Sequence, residues 1–153
     1  MAKRRSIVIG VLAIVFIAFI VIQFIPAGDL TNPPITGSPN WDSPQTEQLV
    51  RRVCFDCHSN ETRWPWYASI APVSWRLQEH VEHGRKHLNF SEFDKLQRRA
   101  PEAAVEVAEG RMPPWDYKLM HPEARLSEAE TQALINGLRA TFGDLPRPKP
   151  DDD

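Results

Sequence analysis

The alternation of apolar and polar positions divides the chain before any motif is read. From Ile7 to Ile25 the sequence carries one polar side chain, Gln23, and no charge. Ile, Val and Phe fall on every face of a helix drawn through this run, unlike the one-sided stripe of a soluble surface helix. At about 1.5 Å rise per residue the run covers roughly 28 Å, close to the ~30 Å hydrocarbon core of a bilayer. Lys3, Arg4 and Arg5 precede it. Positive flanks favour the cytoplasmic side, which predicts residues 1–5 in the cytoplasm, a single transmembrane anchor over 6–25, and the remainder on the periplasmic side of the inner membrane. A cleaved signal peptide is the alternative, but it would have a shorter apolar region and a small-x-small site. This run continues instead into Phe24-Ile25-Pro26, so the anchor is expected to stay attached.

Past the run the pattern changes twice. Residues 26–40 hold Pro26, Pro33, Pro34 and Pro39 with Gly28 and Gly37, which predicts a semi-extended linker. From residue 41 to 143 apolar residues recur at helical spacing. Asp42 or Ser43 caps a helix opened by Pro44 and carried by Leu49, Val50 and Val53, with proline at the favoured first position. Pro72 opens a second helix through Val73, Leu77 and Val81, expected to end near Gly84. Ser91 is expected to cap a short segment holding Phe93 and Leu96, and Pro101 to start a helix over Glu102–Glu109 that Gly110 stops. Ser127 with Glu130 forms a capping box ahead of Leu134, Ile135, Leu138 and Phe142, closed by Gly143. No segment shows the two-residue alternation of a half-buried strand. The prediction is an all-α domain of short helices and long loops, followed over 144–153 by a disordered acidic tail with three prolines and three terminal aspartates.

Composition sharpens this picture. The 42% hydrophobic content of the 153 residues is inflated by the anchor, which leaves about 105 folded residues short of large aliphatics. Small domains with so little core commonly need a staple, a metal or a cofactor to bury against. Only two cysteines are present, which excludes a disulfide scaffold. A net charge of −2 argues against a basic nucleic-acid surface. Without Lys3, Arg4 and Arg5, the balance of 18 basic and 20 acidic side chains falls to −5.

Both cysteines lie in one string, Cys54-Phe55-Asp56-Cys57-His58. Cys-x-x-Cys-His is the attachment signature of a c-type haem. Two thiols three apart on a helical turn can reach the two vinyl groups of one porphyrin, and the adjacent histidine then lies under the iron as an axial ligand. A Cys54–Cys57 disulfide would leave His58 unexplained. A thioredoxin-like motif expects a βαβ context, and a zinc site needs two further ligands. One covalently attached haem c is therefore expected, held by Cys54, Cys57 and His58.

The second axial ligand is sought among Met112, Met120, His80, His83, His87 and His121. Met112 stands in Gly110-Arg111-Met112-Pro113-Pro114-Trp115, where Pro113 drives it into extended backbone on a stiff loop. Met112 is the favoured ligand and His87 the reserve; Met120 reads as packing and the other histidines as solvated. Trp64, Trp66, Tyr67, Trp75 and Trp115 are candidates to pack on the porphyrin. Arg63 and Arg111 are candidates for its propionates, with ordinary surface positions as the alternative.

At this point the sequence resembles a known family. Cys54 to Tyr67, Ile70-Ala71-Pro72-Val73-Ser74-Trp75, Gly84 to Ser91, Met112-Pro113 and His121 to Ser127 are similar to the bacterial haem-binding domain family of membrane-anchored, cytochrome c-like proteins. The resemblance covers residues 45 to 140 and implies a cytochrome c-like helical fold around one haem. The reading that follows is a membrane-tethered monohaem cytochrome passing single electrons to or from a redox partner protein. It is an electron carrier rather than an enzyme, with no small-molecule substrate and no nucleic acid. A haem-based sensor or small haem enzyme with an open sixth site is the alternative. A non-haem disulfide module is a third.

Overall fold

The computed structural model describes residues 2–143; the expected tail over 144–153 lies outside them. Among the described residues the fold is all-helical, as expected. Helix α1 spans Ala2–Ile22, α2 Pro44–Val53, α3 Phe55–His58, α4 Val73–His87, α5 Ala103–Ala108, α6 Trp115–Met120 and α7 Glu128–Phe142. Single 3-10 turns occupy Trp66–Ser69, Ala100–Glu102 and Pro122–Ala124. One isolated bridge pairs Gly37 with Glu92.

Helix α1 has a mean hydropathy of 2.8 over Lys3–Ile22, and nothing in the described protein covers it. By length and composition it can cross a membrane, as a signal sequence of similar build can. Two of the other helices, α2 and α7, begin where the capping residues dictate. At α2 the Ser43 hydroxyl accepts from the Thr46 N–H at 3.2 Å, and Pro44 occupies the first turn. At α7 the Ser127 hydroxyl accepts from the Glu130 N–H, while the Glu130 carboxylate accepts from the Ser127 N–H at 2.8 Å. Gly143 closes that helix at φ +84°.

Two expectations fail, each for a tertiary reason. Helix α4 runs through Gly84 to His87. Gly84 marks a close approach instead, since a Cβ there would lie 2.3 Å from the Cys57 carbonyl oxygen. The segment after Ser91 forms turns rather than a helix. The Ser91 hydroxyl accepts from the Asn60 N–H at 3.0 Å, a long-range bond that takes the place of a helix cap.

Helices α2 and α5 pack on α7, and α3 packs on α4. Leu49, Val50, Val53 and Phe55 meet Ala104, Val107, Leu134, Ile135 and Leu138 in one cluster. Phe90 joins them by stacking on Phe55 at 5.6 Å between ring centres. Two serines, Ser59 and Ser91, rank with Leu134, Leu138 and Val50 as the bulkiest fully buried side chains. The core is thin, as composition suggested.

The Pro-rich segment over 26–40 is extended but does not stand free. The Asn32 amide donates to the Thr62 carbonyl, and Arg85 donates to the Asn32 side-chain oxygen at 2.7 Å. Asn60 donates to the Pro34 carbonyl at 2.9 Å, and the Thr36 and Gly37 N–H groups donate to the Ser91 carbonyl. An extended backbone leaves its peptide groups unpaired, and the domain takes them up.

Candidate haem-attachment site

Cys54 ends α2 and begins α3 with φ −121°, outside the helical region. The break separates the motif from α2 and gives it a turn of its own. The N–H groups of Cys57 and His58 both donate to the Cys54 carbonyl, at 3.1 and 2.9 Å. Cys54 and Cys57 are half-buried, free thiols. The two residues between them point inward and hold the turn down. Phe55 enters the aromatic stack. Asp56 is buried, and its carboxylate accepts from the Tyr117 hydroxyl at 2.8 Å and from Arg63 at 3.2 Å.

The Nδ1 of His58 lies 3.0 Å from the Leu88 carbonyl oxygen. A carbonyl only accepts, so Nδ1 carries the proton and the lone pair of a neutral ring is left at Nε2. Burial lowers the His58 pKa, against the carbonyls of Leu88 and Gly84, which raise it. Such a second partner fixes tautomer and ring orientation in histidine ligands generally.

The thiols are the reverse of activated nucleophiles. Burial, and then the neighbouring Cys57, push Cys54 up to about 12. Burial, then Asp56 and Asp116, push Cys57 up to about 11, against Arg85. Dithiol redox motifs work through a lowered pKa, so the environment disfavours that alternative. Among the described residues no three His, Cys, Asp or Glu side chains converge as a metal site, which leaves the zinc alternative without ligands.

The structure thus brings Cys54, Cys57 and His58 onto one turn. Met112 is half-buried against the same apolar cluster that Cys54 packs on. It sits on the loop after α5, where its N–H donates to the Glu106 carbonyl at 3.0 Å. His87 lies at the exposed end of α4, its Nδ1 accepting from Arg99 at 3.0 Å, near enough to act electrostatically on His58. Arg63 and Arg111 stand as surface arginines in ion pairs, with Asp56 and with Glu106 and Glu109. The Trp64 indole N–H is buried with no hydrogen-bond partner, an unmet donor six residues beyond His58 that a bound acceptor would satisfy.

Three contributors escaped the sequence reading. Gly84 carries the local signal of a helix stop, although apolar spacing continues past it to Leu88. Asp56 occupies a variable position of the motif and has no signature of its own. The Leu88 carbonyl is a backbone group that no side-chain pattern can flag. The donor set fits a haem held through two thiols and one imidazole.

No curated protein and no solved structure matches the chain. The haem-binding domain family does, over residues 17–140, from the last turns of α1 to near the end of α7. With most of its length matched, and the cysteine pair and histidine gathered on one turn within the match, the chain belongs to the haem-binding domain family.

Proposed function

We propose that the protein is a membrane-tethered, monohaem c-type cytochrome that passes single electrons on the periplasmic side. Cys54 and Cys57 would hold the haem as thioethers, and His58 Nε2 and the Met112 sulfur would ligate its iron. The observation that carries this reading is the motif turn, with two free thiols beside an imidazole whose Nδ1 is already committed to Leu88. A bound haem iron supplies a one-electron couple. The chain's part is to fix the imidazole, to exclude water with the Phe55–Phe90 stack, and to supply a thioether from a stiff loop. The tether is supported by the length and hydropathy of α1.

Expression of the full chain with haem-maturation machinery tests this. Haem should stay with the polypeptide through acid–acetone extraction, and the Cys54→Ala, Cys57→Ala double variant should release it. Complete extraction from the parent chain would overturn covalent attachment. Met112→Ala should convert a low-spin spectrum to high spin while His87→Ala leaves it unchanged; the opposite pair of results would move the ligand to His87. Redox titration should follow a one-electron curve, and catalytic turnover of peroxide in its place would favour the enzyme reading.

A further inference from the structure

Gln23 is the one polar side chain of the apolar run, and both ends of its amide are engaged. Its Oε1 accepts from the Ala71 N–H at 3.0 Å, and its Nε2 donates back to the Ala71 carbonyl at 3.1 Å. Two residues on, the Ile25 carbonyl accepts from the Trp75 indole N–H at 3.2 Å. Four residues further, the Asp29 carbonyl accepts from the Gln78 amide at 3.1 Å. Three successive ties therefore clamp the segment that leaves α1, residues 23–29, to Ala71 and the first turns of α4.

The clamp places the segment that leads into α4 and its first turn beside the emerging helix. Residues 64–75, Trp-Pro-Trp-Tyr-Ala-Ser-Ile-Ala-Pro-Val-Ser-Trp, hold no charged residue, in a chain that is 25% charged. Trp66 is 79% exposed and Val73 49%, and Phe24, next to the clamped Gln23, is 82% exposed. Tyr67 meets the Trp66 ring edge-on at 5.7 Å. Trp and Tyr with an apolar body and a polar tip favour the headgroup level of a bilayer. Leu96 is equally exposed at 80%, but it lies between Lys95 and Arg98 and makes a natural aqueous reference.

We propose that the edge from Trp66 to Val73 is a lipid-contacting surface, and that Gln23 fixes the domain on the bilayer in one orientation. The inference rests on the reading of α1 as an uncleaved span. The occupant is the interfacial layer of the membrane that α1 enters, because the hydrogen bonds at Ala71 join this edge directly to the end of that helix. The consequence is that a redox partner meets a domain seated on the membrane, not one swinging on a tether.

The test uses the haem-loaded full chain in vesicles of phosphatidylethanolamine and phosphatidylglycerol. Single spin labels are placed through Trp66→Cys, Val73→Cys or Leu96→Cys, with the parent chain treated alike for background and the haem spectrum as the check of folding. Labels at 66 and 73 should be several-fold less accessible to a water-soluble nickel chelate, and more accessible to oxygen, than the label at 96. Gln23→Leu, which keeps the span apolar, should abolish that difference while the protein still floats with the vesicles. If the chain floats but 66 and 73 are as water-accessible as 96, the lipid-contacting edge is overturned and the anchor stands. If carbonate strips the chain from the vesicles, the anchor reading itself falls. Persistent shielding in Gln23→Leu would overturn the role of the clamp.

Discussion

The apolar cluster between α2, α5 and α7 and the polar seam under the cysteines are built on opposite principles. The cluster is held by Val50, Leu134 and Leu138, essentially without exposed surface, and burial of that kind is non-directional. The seam buries Ser59, Asn60, Thr62, Asn89 and Ser91, each tied to a particular partner. Asn89 donates to the Asn60 side-chain oxygen at 2.8 Å, and the Ser91 N–H donates to the Asn89 oxygen at 3.0 Å. Arg85 of α4 donates to the Ser59 carbonyl and the Thr62 hydroxyl. Ser59 itself donates to the Phe55 carbonyl at 2.7 Å. Apolar packing can hold the helices together without fixing how α3 lies on α4. A satisfied network does fix it, because each bond specifies a direction and an unmet partner is costly in a buried site. Stability and placement of the haem motif thus reside in different parts of a small domain.

The largest expected effect comes from the cluster. Leu134→Ala should cost about 2–5 kcal/mol, the transfer and cavity terms together, as measured by guanidinium unfolding of the haem-loaded chain. Its haem spectrum should match the parent's. If the spectrum shifts as far as it does in variants of the seam, the two regions are not separable and the contrast fails. Gly84→Ala comes next. Its Cβ would meet the Cys57 carbonyl at 2.3 Å, backbone that can yield only if α3 lifts from α4. Overpacking of this kind costs about 1–3 kcal/mol, and here it should also reduce the fraction of chains that acquire haem. A variant that loads haem fully would show that the close approach is dispensable.

Asn89→Leu sharpens the contrast from the polar side. It leaves the Asn60 oxygen and the Ser91 N–H without their partners, a penalty of about 1–3 kcal/mol for a buried unmet group. Because Asn89 adjoins Leu88, whose carbonyl orients His58, the His58 ring should be disturbed out of proportion to the stability lost, and with it the haem spectrum if His58 ligates the iron as proposed. A spectral change no larger than that of Leu134→Ala would count against this.

The same division explains what could be read from the sequence. Helices α2 and α7 were legible because Ser43-Pro44 and Ser127 with Glu130 are local cap signals followed by periodic apolar residues. The motif was legible because its spacing is the chemistry. Helix α6 was not expected: Trp115–Met120 contains no buried residue and so has no apolar stripe to betray it. The seam was equally silent, since Asn60, Asn89 and Ser91 look like loop residues until the fold pairs them across about thirty positions. The contacts of the Pro-rich segment were silent for a related reason. Proline and glycine content reports an extended backbone, but not whether Asn32, Pro34 and Gly37 find partners on the domain.

The smallest effect expected lies at the surface where the cluster's two main helices are cross-linked. Arg52 of α2 pairs with Glu130 of α7 at 2.6 Å. Backbone donation from Ser127, then Arg52 and the Ser127 hydroxyl, holds the Glu130 carboxyl down to about 2, from an ordinary 4.5. A folded-state value below the unfolded one means that the unfolded chain binds the proton more readily. The contribution is therefore complete above about pH 4.5 and is lost as the pH falls from there towards 2. Glu130→Gln keeps an acceptor for the Ser127 N–H but removes the charge, so it should unfold slightly more easily than the parent at pH 7. Solvent and salt screen an exposed pair of this kind, and added salt should shrink the difference. Acidification should shrink it too, until the unfolding curves of parent and variant converge near pH 2. Loss of an axial haem ligand in acid would move both curves together and leave their separation to report on Glu130 alone. A separation that grows as the pH falls would show that the pair does not tie α2 to α7 in solution.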